Sequence, residues 1–257
     1  MTTPAIELGI LLPALVAGLL VTSTHVPLGI QVLSRGIVFI DLAIAQVAGV
    51  GVIFADWLGL EHHGWAVQFA ALAAALAGAL LLTWTEKRWP EVQEAVIGTT
   101  FVLGASGALL LLAANPHGAE HLKDLLVGQI LWVDWPRLLP VALVYAVVLA
   151  LWFGMRERLG RTGFYLLFAA AVTVSVQLVG LYLVFTTLIV PALATHQVQR
   201  ARLAICYALG ACGYAIGLLA SALLDLPSGA LIVWAMTLLG VPVFAWAAVR
   251  QRRAGAS

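Results

Sequence analysis

The chain has 257 residues, of which 63% are hydrophobic and only 10% are charged, and its mean hydropathy is +1.04. Soluble domains carry about 25% charged residues, so the composition excludes a soluble protein and predicts a single transmembrane domain covering residues 1–257. A net charge of +1 lacks the basic excess expected of a nucleic-acid-binding protein.

Apolar runs bounded by charged or turn residues predict an all-α polytopic bundle of about eight to nine transmembrane helices. The expected spans are Pro4–Thr24, Gly36–Leu58, Gly64–Trp84, Ala95–Ala114, Leu138–Phe153, two helices within Gly163–Gln199, Leu203–Leu224 and Leu231–Val249. The Gly163–Gln199 run contains no Asp, Glu, Lys or Arg and is too long for one crossing, so we expect a break near Gly180. A shorter apolar stretch, Leu122–Val133, is expected to lie in the interface or to re-enter beside other helices.

The basic residues predict the orientation, because Lys and Arg favour the cytoplasmic side of membrane proteins. Nine crossings with the N-terminus outside and the C-terminus in the cytoplasm leave only Lys123 and Arg137 outside, out of 13 Lys and Arg residues. The inverted orientation would reverse this ratio.

One acidic residue, Asp41, lies inside the predicted span Gly36–Leu58. Asp at the centre of a membrane helix costs at least about 2.5 kcal/mol, so we interpret Asp41 as a cation-attracting group on a translocation path. The alternative is a carboxylate bonded to a neighbouring hydroxyl or amide. Gln46, about 140° around the helix from Asp41, and Gln177 are further candidates for the path, with interhelical hydrogen bonds as the alternative.

Histidines and an acid in the predicted outer loops are candidate metal ligands, because imidazole and carboxylate both bind zinc. They are His62 and His63 in one loop, and His117, Glu120 and His121 in another. The last three are spaced i, i+3 and i+4 and would share a face of a helix, although Pro116 and Gly118 disfavour a regular helix there. Solvated loop side chains are the alternative.

The segment Pro191–Arg202 is either an ordinary helix end anchored by positive charge or a docking element for a cytoplasmic partner, and its pattern leaves both open. The chain has no Gly-x-x-x-x-Gly-Lys-Ser/Thr phosphate loop, so we do not expect it to hydrolyse a nucleotide by that route. Nor does it contain a nucleophile–base or metal–base set at membrane depth. A transport subunit is therefore favoured over an enzyme.

Several segments together resemble the permeases of the ABC-3 family, the zinc, manganese and iron importers of bacteria. The segment from Pro27 through Arg35 and Gly36 to Asp41 resembles the first loop and second helix of that family. The other matching segments are Glu94–Gly98, Leu126–Leu131, Val179–Leu183 followed by Leu188–Ala192, and Leu226–Ala230. The resemblance covers nearly the whole chain.

This resemblance implies a type II ABC importer-like bundle in the bacterial cytoplasmic membrane, surrounded by lipid. It implies a homodimer of this chain with a path along the twofold axis and a pair of cytoplasmic ATP-binding subunits. It further implies an extracytoplasmic metal-binding protein that delivers the cargo. No permanently bound cofactor is expected, and the transported species would be a divalent metal, Zn²⁺ by preference.

The resemblance also assigns roles to residues. Asp41 falls on the Asp of the family's second helix that is implicated in metal contact, and Pro191, Thr195, Gln199 and Arg200 become the expected surface for the ATPase. Many members carry a His one turn after the Asp, where this chain has Ala45, so the path would hold metal loosely through Asp41 and waters.

The pattern Asp-Leu-Ala-x-Ala-Gln is similar to the zinc-uptake branch of the family. Manganese or iron import remains the alternative within the family. A gradient-driven carrier with Asp41 as a proton site is the alternative outside it, although such carriers usually contain an inverted repeat.

Overall fold

The structure, a computed structural model, describes residues 8–58, 65–112 and 130–254. Within these ranges the chain forms nine helices, two short 3-10 turns at Pro90–Val92 and Ile130–Trp132, and no strand. The all-α bundle predicted from the sequence is therefore confirmed. The helices are α1 (Leu8–Arg35), α2 (Ile40–Trp57), α3 (Trp65–Arg88), α4 (Gln93–Leu112), α5 (Trp135–Met155), α6 (Arg158–Val179), α7 (Leu181–Ala194), α8 (Arg202–Leu224) and α9 (Ser228–Ala254).

Two interruptions divide the long helical run between residues 135 and 194. Non-helical backbone at Met155 ends α5, and a second irregularity at Gly160, with φ 56°, lies in the first turn of α6. Gly180, with φ 84° and ψ 161°, separates α6 from α7. Glycine adopts positive φ without steric cost, so the sequence supports a sharp break at this position. The predicted break near Gly180 is confirmed.

The predicted end of the first span at Thr24 is wrong, because α1 continues through Pro27 to Arg35. A proline inside a helix removes the hydrogen bond to the carbonyl four residues earlier, here that of Ser23. The hydroxyl of Tyr207 in α8 donates to this carbonyl oxygen at 3.0 Å. A neighbouring helix thus satisfies the freed carbonyl group, which is how membrane helices tolerate proline.

The other predicted boundaries lie within a few residues of the observed ones. The expected turn before the last helix is present, since Asp225 ends α8 with φ 54° and α9 begins at Ser228. Of the stretch Leu122–Val133, the structure describes Ile130–Val133, where Ile130 is buried in the core. The rest of that stretch lies outside the described residues.

Burial divides the helices into central and outer ones. α2 and α7 are short and apolar, and ten of the 14 residues of α7 are buried, whereas Tyr182 and Leu193 are exposed. Of the 18-residue apolar stretch that could cross a membrane, 61% is buried in α6, compared with 22% in α5 and 28% in α9. Six helices of the described chain are long and apolar enough to cross a membrane: α1, α3, α5, α6, α8 and α9. The short helices α2 and α7 are therefore enclosed by longer ones.

Close contacts fix α1 against α7 and α8. A Cβ placed on Gly29 of α1 would lie 1.9 Å from the carbonyl oxygen of Leu188 in α7, and one on Gly210 of α8 would lie 2.6 Å from Cγ2 of Thr22 in α1. Small residues let membrane helices approach closely enough to pack through van der Waals contact. α1, α7 and α8 thus form a tightly packed block.

A buried amide joins the ends of three helices beside the start of α2. The Gln93 side chain donates to the Leu82 carbonyl at 3.0 Å and to the Tyr165 hydroxyl at 3.3 Å, and it accepts from the Thr85 hydroxyl at 3.0 Å. These contacts link α3, α4 and α6. They also fix the position of Glu94, the next residue in α4.

Candidate functional site

Asp41 is the second residue of α2 and is completely buried. Neither of its carboxylate oxygens has a hydrogen-bond partner, although the backbone N–H groups of Asp41 and Leu42 lie close by. The amino end of a helix carries partial positive charge and stabilises an anion, but an unpaired buried carboxylate still costs several kcal/mol (about 2.5 or more). The side chain is therefore suited to receive a cation.

Small residues continue the face of α2 on which Asp41 lies. Asp41, Ala45 and Ala48 are spaced i, i+4 and i+7 and share one side of the helix, and both alanines are buried. Phe39, just before the helix, stacks on Phe185 of α7 with ring centroids 6.2 Å apart. The side chain at position 45, one turn from Asp41, therefore brings no ligand to the carboxylate.

Gln46 lies on another side of α2. A Cβ on Gly104 of α4 would be 2.9 Å from Cβ of Gln46, so Gln46 packs against α4. Gln177 is exposed near the end of α6, in an environment unlike that of the buried Asp41. The structure therefore does not gather the three path candidates, Asp41, Gln46 and Gln177, on one surface of the protomer.

The predicted outer-loop ligands cannot be placed. His62, His63, His117, Glu120 and His121 all lie outside the described residues. Within the ranges that the structure does describe, no group of three or more His, Cys, Asp or Glu side chains is arranged to hold a metal ion. Ligation by the outer histidines stays a prediction.

The predicted ATPase-facing residues fall into two parts. Pro191 and Thr195 are buried at the end of α7, whereas Gln199 and Arg200 are exposed in the turn that leads to α8. Only the second pair is placed to touch a partner directly. The first pair belongs to the base on which that turn is built.

Two further residues of interest were not predicted as site residues from the sequence. His25 is completely buried in α1, where its Nδ1–H donates to the Val21 carbonyl at 3.0 Å and its Nε2 has no partner. Glu94 accepts a hydrogen bond from the Phe39 N–H at 3.4 Å, next to the start of α2. Glu94 could have been noticed as an acidic residue immediately before the predicted span Ala95–Ala114. His25 was overlooked because the first predicted span ended at Thr24.

Comparison with known proteins gives consistent matches. The model of the ABC 3 transport family matches residues 7–164 and 153–247. An uncharacterized membrane protein of Synechocystis, slr2045, is 26% identical, and the alignment covers 86% of this chain and 84% of that protein.

Two solved structures share the fold. One is PsaBC from Streptococcus pneumoniae in complex with Fab, with a TM-score of 0.74, 19% identity, and coverage of 93% of this chain and 92% of that one. The other is an inward-facing conformation of a putative metal-chelate type ABC transporter, with a TM-score of 0.62, 18% identity, and coverage of 97% and 91%.

The family model covers most of the chain, and the two solved structures show that the helical fold is shared. The chain belongs to the ABC 3 transport family, as a membrane component of a transporter.

Proposed function

We propose that this chain, as one permease domain, carries a divalent metal, zinc by preference, across the membrane into the cytoplasm. In this proposal a pair of cytoplasmic ATP-binding subunits supplies the energy, an extracytoplasmic binding protein delivers the metal, and two copies of this chain line the path. Membership of the ABC 3 transport family supports the class of transporter. The observation that carries the role of this chain is the buried carboxylate of Asp41, which lacks a hydrogen-bond partner.

The chemistry of the Asp41 site suits a passing metal rather than a stored one. A single carboxylate, with alanine at position 45, gives a metal ion few protein ligands and leaves water to complete its coordination. A structural zinc site uses four protein ligands and holds the metal tightly. One charged ligand at the amino end of a helix attracts a cation and still allows its release.

Zinc is proposed ahead of manganese and iron because of the Asp-Leu-Ala-x-Ala-Gln pattern at residues 41–46, which is similar to the zinc-uptake branch. Asp41 alone is an oxygen donor that also suits manganese, since carboxylates favour harder metals. The choice of metal therefore has to be measured directly.

The orientation follows from the positive-inside rule, with the N-terminus outside and the C-terminus in the cytoplasm of a bacterial inner membrane. In this orientation the turn that carries Gln199 and Arg200 faces the cytoplasm, where an ATP-binding subunit would meet it.

The test is metal uptake by cells or proteoliposomes that contain this permease, its ATPase and its binding protein, with zinc, manganese and iron compared. Asp41→Asn keeps the shape of the side chain and removes the charge. The matched control is Asp225→Asn, because Asp225 is exposed at the end of α8 with φ 54° and asparagine also tolerates that conformation.

We expect ATP-dependent zinc uptake that Asp41→Asn lowers at least about tenfold, a change of about 1.4 kcal/mol, and that Asp225→Asn leaves unchanged. Uptake without the ATPase that collapses with the proton gradient would instead support a gradient-driven carrier. Normal uptake by Asp41→Asn would remove Asp41 from the path, and a preference for manganese or iron would replace zinc as the cargo.

A further inference from the structure

The last turn of α7 is capped by side chains. The final carbonyls of a helix lack partners within the helix. Here the Pro191 carbonyl accepts from the Thr195 hydroxyl at 2.8 Å, and the Leu193 carbonyl accepts from Nδ1–H of His196 at 2.9 Å. Arg202 donates from Nη2 to the Ala192 carbonyl at 3.1 Å. Three successive carbonyls at the end of α7 are thus held by residues that follow the helix.

Two further contacts link the end of α7 to α8. Thr195 is completely buried, and its hydroxyl lies 2.9 Å from Sγ of Cys206 in α8. The Cys206 thiol also lies 3.2 Å from the Pro191 carbonyl, to which it donates. Cys206 itself is completely buried. The hydroxyl and the thiol therefore join the end of α7 to the second turn of α8.

Arg202 completes this connection. Its Nε donates to the Thr195 hydroxyl at 3.4 Å, while its Nη2 bonds the Ala192 carbonyl. Ala201 has left-handed backbone conformation with φ 57°, which reverses the chain at the start of α8. Arginine is well suited to this position because its planar group donates in two directions and its charge is favoured at a helix C-terminus. We call Thr195, Arg202 and Cys206 the α7–α8 clamp.

The exposed part of the turn lies immediately beside the clamp. Gln199 and Arg200 are exposed, and the chain from Thr195 to Arg202 is the short link between the two helices. His196 stacks on Phe244 of α9, with ring centroids 5.3 Å apart. The turn is therefore attached to α8 through the clamp and to α9 through one ring contact.

We propose that Thr195, Arg202 and Cys206 are positioning residues that make the turn of residues 195–201 and the start of α8 move as one rigid body. This inference rests on the proposed function, in which an ATP-binding subunit pushes on Gln199 and Arg200. A flexible turn would absorb such a displacement, whereas a packed rigid element transmits it. The clamp is the part of the chain that converts a push on the turn into movement of α8.

The helix contacts beyond the clamp are also tightly packed. α8 packs on α1 through Gly210 and Thr22 with no room for an added methyl group, and α1 packs on α7 through Gly29 and Leu188 in the same way. A displacement of α8 therefore carries α1 and α7 with it. Phe185 of α7 stacks on Phe39, which precedes Asp41 by two residues, so this block reaches the start of α2.

The test measures the number of metal ions imported per ATP hydrolysed by the complete transporter in proteoliposomes. Thr195→Val is nearly isosteric and removes the hydroxyl, while Thr195→Ser keeps it. We expect Thr195→Val, which removes the hydroxyl's contacts with Pro191, Arg202 and Cys206, to lower this ratio about fivefold, with ATP hydrolysis and ATPase binding retained. Thr195→Ser should restore the wild-type ratio, and Arg158→Ala, at an exposed arginine of α6, should leave it unchanged.

A covalent version of the clamp keeps the test decisive if Thr195→Val does not fold. Thr195→Cys in a Cys212→Ser background places a thiol next to Cys206, and oxidation with diamide forms a disulfide where the hydroxyl–thiol contact was. We expect the oxidised protein to couple like the wild type and the protein reduced with tris(2-carboxyethyl)phosphine to couple poorly.

The reverse result, in which the bridged protein is inactive and the reduced one is active, would overturn the clamp, as would normal coupling by Thr195→Val. Failure of the proposed function itself is distinguishable, because the wild-type transporter would then import no metal on ATP hydrolysis.

Discussion

The hydrogen bond from Tyr207 to the Ser23 carbonyl allows α1 to continue past Pro27, and its contribution to stability can be tested directly. Pro27 has no N–H, so the Ser23 carbonyl depends on the Tyr207 hydroxyl, which donates to it at 3.0 Å. Tyr207→Phe removes that donor and leaves the carbonyl unpaired inside the protein. Pro27→Ala restores an N–H that can bond the same carbonyl as in any other helical turn. The two substitutions should therefore compensate each other.

The expected size follows from the environment of the bond. Hydrogen bonds between membrane helices contribute about 0.6 kcal/mol on average and up to about 1.7 kcal/mol, and an unpaired buried group costs about 1–3 kcal/mol. We expect Tyr207→Phe to lower the free energy of unfolding by about 1.5 kcal/mol in the wild-type background and by less than about 0.5 kcal/mol in the Pro27→Ala background. The coupling energy between the two positions is then about 1 kcal/mol.

The assay is a double-mutant cycle of reversible unfolding in mixed detergent micelles, followed by far-ultraviolet circular dichroism. The cycle cancels whatever Pro27→Ala does by itself to the unfolded chain. Equal destabilisation by Tyr207→Phe in both backgrounds would refute the reasoning, since the hydroxyl would then have no special role at the carbonyl freed by proline.

Four further substitutions probe packing, the buried amide and the candidate site. Gly29→Ala should destabilise the protein by about 3 kcal/mol in thermal unfolding, because its new Cβ would lie 1.9 Å from the Leu188 carbonyl oxygen. The control is Gly98→Ala, whose Cβ would have no atom within 4 Å. It should be neutral or stabilising by up to about 1 kcal/mol. Gln93→Leu should cost about 2 kcal/mol in the same assay by removing its three buried hydrogen bonds to Leu82, Thr85 and Tyr165, and an unchanged midpoint would contradict this. Asp41→Asn should stabilise the protein by about 1 kcal/mol while uptake is lost, whereas a loss of stability would identify its carboxylate as a structural partner.

The helix count could be predicted because charges and turn residues mark the ends of most spans in the sequence itself. The break at Gly180 was also visible, since a long uncharged run contained a glycine near its middle. The course of α1 was not visible, because the donor that permits Pro27 is Tyr207, far away in the chain. A local reading of proline as a helix end therefore failed for a tertiary reason.

The candidate site could likewise be predicted only in part from the sequence. A lone acid in an apolar span identified Asp41, and helical periodicity separated it from Gln46. The division of the predicted ATPase-facing residues into buried Thr195 and exposed Arg200 needed the structure, because it depends on contacts that α8 makes with the end of α7. His25 was missed together with the helix extension that encloses it.

The short central helices have a consequence for the way the protein responds to its lipids. The 14 residues of α7 span about 21 Å, less than the hydrocarbon core of about 30 Å, yet ten of them are buried against other helices. Exposed Trp65 and Trp84 lie near the two ends of α3, at positions typical of anchors at membrane interfaces. We therefore expect outer helices such as α3 to change their tilt when the bilayer becomes thicker or thinner. The geometry around Asp41 should then change little with membrane thickness.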